Sequence, residues 1–258
     1  MPTALITGAS GGIGTAFAEE LAAQNYNLVL VARSEEKLNE LANQLKQKHE
    51  IQVDVIAKDL TDLSATNAVF EFTKEKELTI DLLINNAAFG DYGDFAETDE
   101  ERQIKMIQLN ILALVDLTHK FLPLMRQRRS GSIINVSSLA AFQPIPYLSV
   151  YSASKAFVRH FSEALWAENR KYGIRILVSC PGPTETNFFT EAKFPLTLAS
   201  KNTQISTSEQ VVKETLKALA RGDSTVVIGG FSTHFITKVA GVVPRETLLN
   251  ILEKQFKA

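Results

Sequence analysis

Apolar residues in this chain come in short, largely continuous runs, with helical-period stretches between them. The runs at 3–7, 27–32, 52–57, 81–85, 132–137, 175–180 and 225–228 do not alternate with polar residues in the way a half-exposed strand would. Such runs suit strands covered on both faces. Amphipathic periodicity predicts helices around 14–24, 35–49, 63–77, 97–129, 151–172 and 208–221. Chain breakers stand where strand should hand over to helix: Gly8 through Gly12, Gly90 with Gly93, and Pro181-Gly182-Pro183. Strand and helix repeated in this order imply a parallel sheet with right-handed crossovers. The prediction is one α/β domain over 1–258, a doubly wound parallel sheet of about seven strands with helices on both faces. One stretch, 186–208, has weak periodicity and an apolar content unusual for a loop. A connection that long is expected to be a functional lid over a substrate. The tail, 229–258, is mixed, with an apolar part over 231–243 and an amphipathic helix from Pro244.

Composition removes several classes of function. Apolar residues make up 45% and charged residues 22%, so a core of normal size is available. The net charge of −2 provides no global field to recruit nucleic acid or an anionic membrane. The one basic run, Arg126 with Arg128 and Arg129, ends a helical stretch and reads as C-terminal helix charge. Asp99-Glu100-Glu101 reads as an acidic first turn and not as a catalytic pair. The single cysteine, Cys180, excludes an internal disulfide framework and is expected to be buried and inert. His49, His119, His160 and His234 lack metal-ligand spacing, so no metal site is expected. No apolar run has the length of a membrane span, and strand-like sequence begins at Thr3 without a signal-type segment. The expected location is cytoplasmic.

The candidate chemistry begins at Gly8-Ala9-Ser10-Gly11-Gly12-Ile13-Gly14, between the first strand and its helix. Glycines let the backbone reverse tightly and approach a pyrophosphate. Free amides at the following helix start favour its negative charge. The spacing is G-x-x-x-G-x-G, which is a weak signal alone and a stronger one at this place in an alternating chain. Four further features follow in order: Asn85-Asn86-Ala87-Ala88, Asn110, Ser138, and Tyr151-Ser152-Ala153-Ser154-Lys155.

Together with Thr7–Gly14 these features resemble the short-chain dehydrogenase/reductase family, from Thr3 to about Thr186. The resemblance implies a Rossmann-type fold and hydride transfer between a nicotinamide and a carbonyl/alcohol pair. It implies Tyr151 as general acid/base, Lys155 as its pKa-lowering neighbour and nicotinamide-ribose ligand, and Ser138 as the residue that orients the carbonyl. Asn110 would hold a water behind Lys155. The cofactor contacts implied are Gly8, Ser10, Gly11, Gly12, Ile13, Gly14, Arg33, Ser34, Asp59, Leu60, Asn86, Ala87, Tyr151, Lys155, Pro181, Gly182 and Thr186. One departure is Ala88, where the family usually has glycine. Relatives commonly pair through the helices that would carry Asn110 and Tyr151, so a homodimer or homotetramer is expected.

Elementary chemistry agrees with these roles. Tyr151 and Lys155 lie four positions apart and share one helix face. A nearby ammonium, together with the positive nicotinamide of the oxidised cofactor, favours a phenolate, so the phenol is expected below its ordinary pKa. Strand alternation turns Ser137 away from the side that Ser138 faces. The second strand ends in Ala32-Arg33-Ser34, with alanine where an NAD enzyme would carry a ribose-binding carboxylate. The arginine fork suits a phosphate, which makes NADP(H) the expected cofactor. Phe142, Pro144, Ile145, Phe188, Phe189, Phe194 and Leu196 are expected to line an apolar pocket for a hydrophobic ketone or aldehyde. A catalytically silent dinucleotide-binding protein is the alternative, and the intact Asn110, Ser138, Tyr151 and Lys155 argue against it. An epimerase or dehydratase of extended fold fits poorly, because its glycine spacing differs.

Overall fold

All seven apolar runs pair edge to edge in the computed structural model, which describes residues 1–62, 64–195, 205–230 and 243–257. The strands are β1 (Thr3–Thr7), β2 (Asn27–Ala32), β3 (Val53–Ala57), β4 (Leu82–Asn85), β5 (Gly131–Val136), β6 (Ile174–Pro181) and β7 (Thr225–Ile228). They form one parallel sheet in the order β3-β2-β1-β4-β5-β6-β7. Burial on both faces explains why the runs do not alternate. Ala4 and Ile6 enter one core, while Leu5 between them enters the other.

The first core is covered by α1 (Gly12–Ala23), α2 (Glu35–Lys48) and α8 (Ser208–Arg221), through Phe17, Leu38 and Val212 among others. The second is covered by α3 (Ala65–Glu75), α5 (Leu114–Arg128) and α6 (Ser149–Asn169), through Val69, Phe121 and Leu165. The remaining helices are α4 (Glu100–Ile107), α7 (Phe188–Glu191) and α9 (Arg245–Phe256).

The single helix expected over 97–129 is three pieces. A 3-10 turn over Phe95–Glu97 precedes α4, and a π-helical turn, Gln108–Ala113, separates α4 from α5. A π turn admits an extra residue without interrupting the apolar pattern, so periodicity runs through it unbroken. Two local expectations on this stretch hold. Asp99 caps α4 by accepting from the Arg102 amide at 2.7 Å, with Glu100 and Glu101 in the first turn. The basic run is spent on packing: the Arg126 guanidinium lies over Tyr172 and donates to Asn169, and Arg128 donates to the Ile80 carbonyl.

Buried polar groups tie the sheet to the helices behind it. Asn85 donates to Asn135 at 2.9 Å and to Thr118 at 3.0 Å, and Asn135 donates to Ser162 of α6 at 2.9 Å. Such a network fixes α6 in register against β5, and α6 is the helix that carries Tyr151 and Lys155. Among the described residues no helix is long and apolar enough to cross a membrane, and no group of side chains could hold a metal ion.

Candidate active site

A parallel sheet opens a crevice where its strand order reverses, at the C-terminal strand ends. Here β1 lies between β2 and β4, and a cavity of about 710 Å³ opens beyond those ends. It is lined by Gly8, Ser10, Gly11, Gly12 and Ile13 from the glycine loop. Gly8 has φ +67 and Gly12 φ +51, conformations that glycine adopts without steric cost. A Cβ on Gly12 would lie 2.8 Å from Thr186 Cγ2, so only a bare backbone fits there. Helix α1 begins at this loop with no side-chain cap, which leaves its first amides available to an anion. Gly14 is not in the cavity lining, contrary to expectation. A Cβ there would meet the Gly8 carbonyl oxygen at 2.1 Å, so this glycine lets α1 pack on the loop. Asn86 lines the cavity, but its side-chain amide donates to the Thr7 and Gly8 carbonyls and thereby braces the loop.

The end of the cavity beside β2 and β3 is cationic. Arg33, Lys37 and Lys58 line it together with Ala32, Ser34, Asp59 and Leu60. Arg33 and Lys37 have no ion pair or side-chain hydrogen bond among the described residues. Ser34 caps α2, accepting from the Lys37 amide. One oxygen of the Asp59 carboxylate, Oδ1, accepts from the amide and hydroxyl of Thr61 at 3.0 and 2.9 Å. Lys37 and Lys58 were not foreseen. Lys37 had a weak signal in retrospect, since it stands one helical turn past Arg33. These features fit a dinucleotide whose adenosine ribose carries a phosphate: a cradle too tight for a Cβ, uncapped amides, and free cations where a ribose-binding carboxylate is missing.

At the other end, Tyr151, Lys155 and Ser138 meet. The Lys155 ammonium donates to the Val136 carbonyl at 2.9 Å and lies 5.9 Å from the Tyr151 ring centre. Ser138 stands beside the Tyr151 phenol, where it favours the phenolate, and its Oγ accepts from the Ala140 amide at 3.1 Å. Ser137 is buried and donates to the Lys155 carbonyl at 2.7 Å, so the two serines have separate partners. The expected depression of the phenol does not occur in the protein alone. Burial pushes Tyr151 up to about 12, and Ser138 beside it offsets only part of that. Burial also brings Lys155 down to about 8. Taking charge out of water outweighs the attraction between the two groups, and a phenolate needs a further positive charge beside it.

Asn110 is 1% exposed and lies outside the cavity lining. Its amide nitrogen donates to the Phe89 carbonyl at 3.0 Å and to Ser154 at 3.1 Å, while its oxygen accepts from the Phe89 amide at 3.1 Å. It thus holds the chain after β4 against α6. Cys180 is free and fully buried, and burial pushes its thiol up to about 12, as an inert thiol requires.

The region beyond Tyr151 is aromatic. Phe89, Ile145, Leu148, Phe188, Phe189 and Phe194 line it, and the Phe188 ring lies 5.0 Å from that of Tyr151. Ile145, Phe188, Phe189 and Phe194 were expected, whereas Phe142 and Pro144 do not line the cavity. Phe142 packs instead with Leu114, Val158 and Cys180 beneath the Arg159 guanidinium, because its 3-10 turn, Leu139–Phe142, rolls it away. Leu196 lies outside the described residues. Pro181, Gly182 and Thr186 line the cavity as expected. Ala88 is accommodated at the wall. The glycine that close packing requires is Gly90, where a Cβ would lie 2.8 Å from Phe188. The expected lid over 186–208 contains α7 and is anchored at both ends. Arg102 donates to the Glu191 carbonyl at 2.6 Å while paired with buried Asp91, and Thr184 bridges to Ser206. Residues 196–204 of that segment lie outside the described residues. Sequence reading also missed Gln255 and Phe256, which reach the cavity from the far end of the chain and carry no local signal.

The short chain dehydrogenase family model matches residues 2–194. The chain is 38% identical over 174 residues to hydroxysteroid dehydrogenase-like protein 1 of Gallus gallus, covering 66% of this chain and 52% of that one. It is 37% identical over 258 residues to 17-beta-hydroxysteroid dehydrogenase type 3 of Mus musculus, covering 98% and 80%. A solved short-chain dehydrogenase from Sphingobium yanoikuyae, in complex with NADPH, superposes with a TM-score of 0.85 at 31% identity, covering 97% of this chain and 96% of that one. The chain, with its glycine loop, its Tyr151–Lys155 pair and a match over most of its length, belongs to the short-chain dehydrogenase family of oxidoreductases.

Proposed function

We propose that the chain is an NADP(H)-dependent reductase of neutral, apolar ketones or aldehydes, equally able to run the alcohol oxidation. The observation that carries this reading is one cavity with a cationic glycine cradle at one end and aromatic walls at the other, where Tyr151, Ser138 and Lys155 line it. A bound NADP(H) supplies or accepts the hydride. Tyr151 donates its phenolic proton to the carbonyl oxygen as negative charge grows there, and Ser138 donates a second hydrogen bond to the same oxygen. Lys155 supports the resulting phenolate with its ammonium. Asn110 is a positioning residue, since its polar atoms hold Phe89 and Ser154. Substrate neutrality follows from where the charges lie. Lys155 apart, the lining cations Arg33, Lys37 and Lys58 belong to the end beside β2 and β3, and Glu191 adds a carboxyl group toward the aromatic end. An anionic substrate has no partner there among the described residues.

The cofactor assignment is tested at Arg33. A charge-assisted contact of ~1.5–3 kcal/mol corresponds to about a ten- to over a hundredfold preference for NADPH over NADH. Arg33→Ala is expected to erode that preference in kcat/KM, and Ala32→Asp to reverse it by repelling the phosphate. Wild-type enzyme that works better with NADH removes Arg33 from this role.

Segment 186–208 is read as closing over the substrate. Amide hydrogen exchange there should slow when cofactor and a ketone analogue are bound together. Equal protection with and without them rejects closure.

A further inference from the structure

We propose that the last turn of α9 forms the far wall of the ketone chamber, with Phe256 limiting substrate size and Tyr92 holding it in place; this rests on the reductase reading above. Gln255 and Phe256 line the same cavity as Tyr151 and Ser138. An unbroken file of rings leads from the acid/base to the C-terminal end of that helix. Centroids are 5.0 Å apart from Tyr151 to Phe188, 6.0 Å from Phe188 to Phe189, 5.6 Å from Phe189 to Phe194, and 6.3 Å from Phe194 to Phe256. Phe256 therefore stands at the opposite limit of the aromatic wall that begins at the reacting group.

A wall built from the last turn of a helix needs an anchor, because helix ends fray unless tied down. Two anchors are present. Leu248 and Leu252 are buried in a cluster that includes Val243 and Phe256. The Tyr92 phenol donates to the Phe256 carbonyl at 2.5 Å, which satisfies one of the acceptors a helix leaves open at its C-terminus. Tyr92 is itself set by neighbours: its ring lies 5.8 Å from Tyr147 and 5.3 Å from Phe194, and its amide donates to the Ala192 carbonyl at 2.8 Å. One side chain therefore links the loop after β4, the segment after α7 and the last turn of α9. Removing the Phe256 ring opens the chamber without touching Tyr151, Ser138 or the glycine cradle. Removing the Tyr92 hydroxyl loosens the same wall and leaves its ring in place.

The test uses saturated ketones of one, two and three fused rings. Each is measured by kcat/KM with NADPH and by calorimetric binding to the 258-residue chain saturated with NADP+, where reduction cannot proceed. Phe256→Ala is expected to raise kcat/KM for the three-ring ketone relative to the one-ring ketone by about tenfold, the low end of apolar-pocket size discrimination. Tyr92→Phe should shift the ratio the same way by a smaller factor, and neither variant should change the KM for NADPH. Phe256→Trp, which keeps the site filled, should shift the ratio in the opposite direction and serves if the alanine variant does not fold. Changes equal across the three ketones, or no change, overturn the wall while leaving the reductase reading intact. Binding that discriminates by size and responds to Phe256, with no hydride transfer in any variant, sinks the reductase reading and keeps the wall. No ketone binding to any variant overturns the wall.

Discussion

Tyr151→Phe is expected to retain fold and NADPH binding and to lose nearly all turnover. The substitution removes one oxygen from a side chain that is 9% exposed and packed against Phe188, so the ring still fills its place. What disappears is the hydroxyl that donates the proton in the proposed mechanism. Burial holds the phenol at about 12, so the proton it offers is present throughout the neutral range. In the reverse direction the phenolate is required, and the rate of alcohol oxidation should climb with pH because raising pH favours that form. The positive nicotinamide of oxidised cofactor is the further charge that moves that rise downward from 12. The phenylalanine variant should lose the pH dependence along with the rate. Retention of more than about a tenth of wild-type kcat, a barrier change of only ~1.4 kcal/mol, removes Tyr151 from the acid/base role.

Ser138→Ala should lower kcat by the order of 10²-fold, the size typical of a lost oxyanion donor. Ser137→Ala supplies the comparison, because the two hydroxyls are adjacent and chemically identical. Ser137 is 3% exposed and its hydroxyl serves the Lys155 carbonyl. Its loss should appear as about 1 kcal/mol of stability in denaturant unfolding, with kcat little changed. Ser138 is more open, and its Oγ caps the 3-10 turn by accepting from the Ala140 amide at 3.1 Å, so its loss should cost about 1 kcal/mol of stability as well as the drop in kcat that Ser137→Ala does not show. Equal rate losses in the two variants, or the reverse order, mean that Ser138 is not the oxyanion donor.

Much of this site was legible before any coordinates. The glycine loop was picked out as a turn that tolerates only glycine and Arg33 as a strand-end cation, Ser138, Tyr151 and Lys155 by their resemblance to the family's motifs, and all of them line one cavity. Residues tied to distant parts of the chain were harder. Asn110 was expected to hold a water behind Lys155; it lies on a π turn, its side chain bonded to the Phe89 backbone and to Ser154 of α6, and the inserted residue of that turn leaves no mark on an apolar period. Phe142 and Phe188 look alike in sequence, yet one packs on Cys180 and the other on Tyr151, because short helical turns set their directions. Phe256 was invisible as a lining residue, since its partner Tyr92 is 164 positions away.

The sequence by itself determined the elements, the parallel sheet and the order of the chemistry along the chain. Those features follow from periodicity, from glycine and proline stereochemistry, and from burial of strands on two faces, and all of these act over a few residues. Tertiary structure alone decided the charge states and the walls. Tyr151 stands at about 12 and Lys155 at about 8 because both leave water when α6 docks on β5 and β6, and spacing on a helix carries no information about that desolvation. The chamber is likewise closed by segments that meet only after folding: the loop after β4, α7 and the last turn of α9. Their contact is set by the packing of whole elements against one another, and no local pattern encodes it.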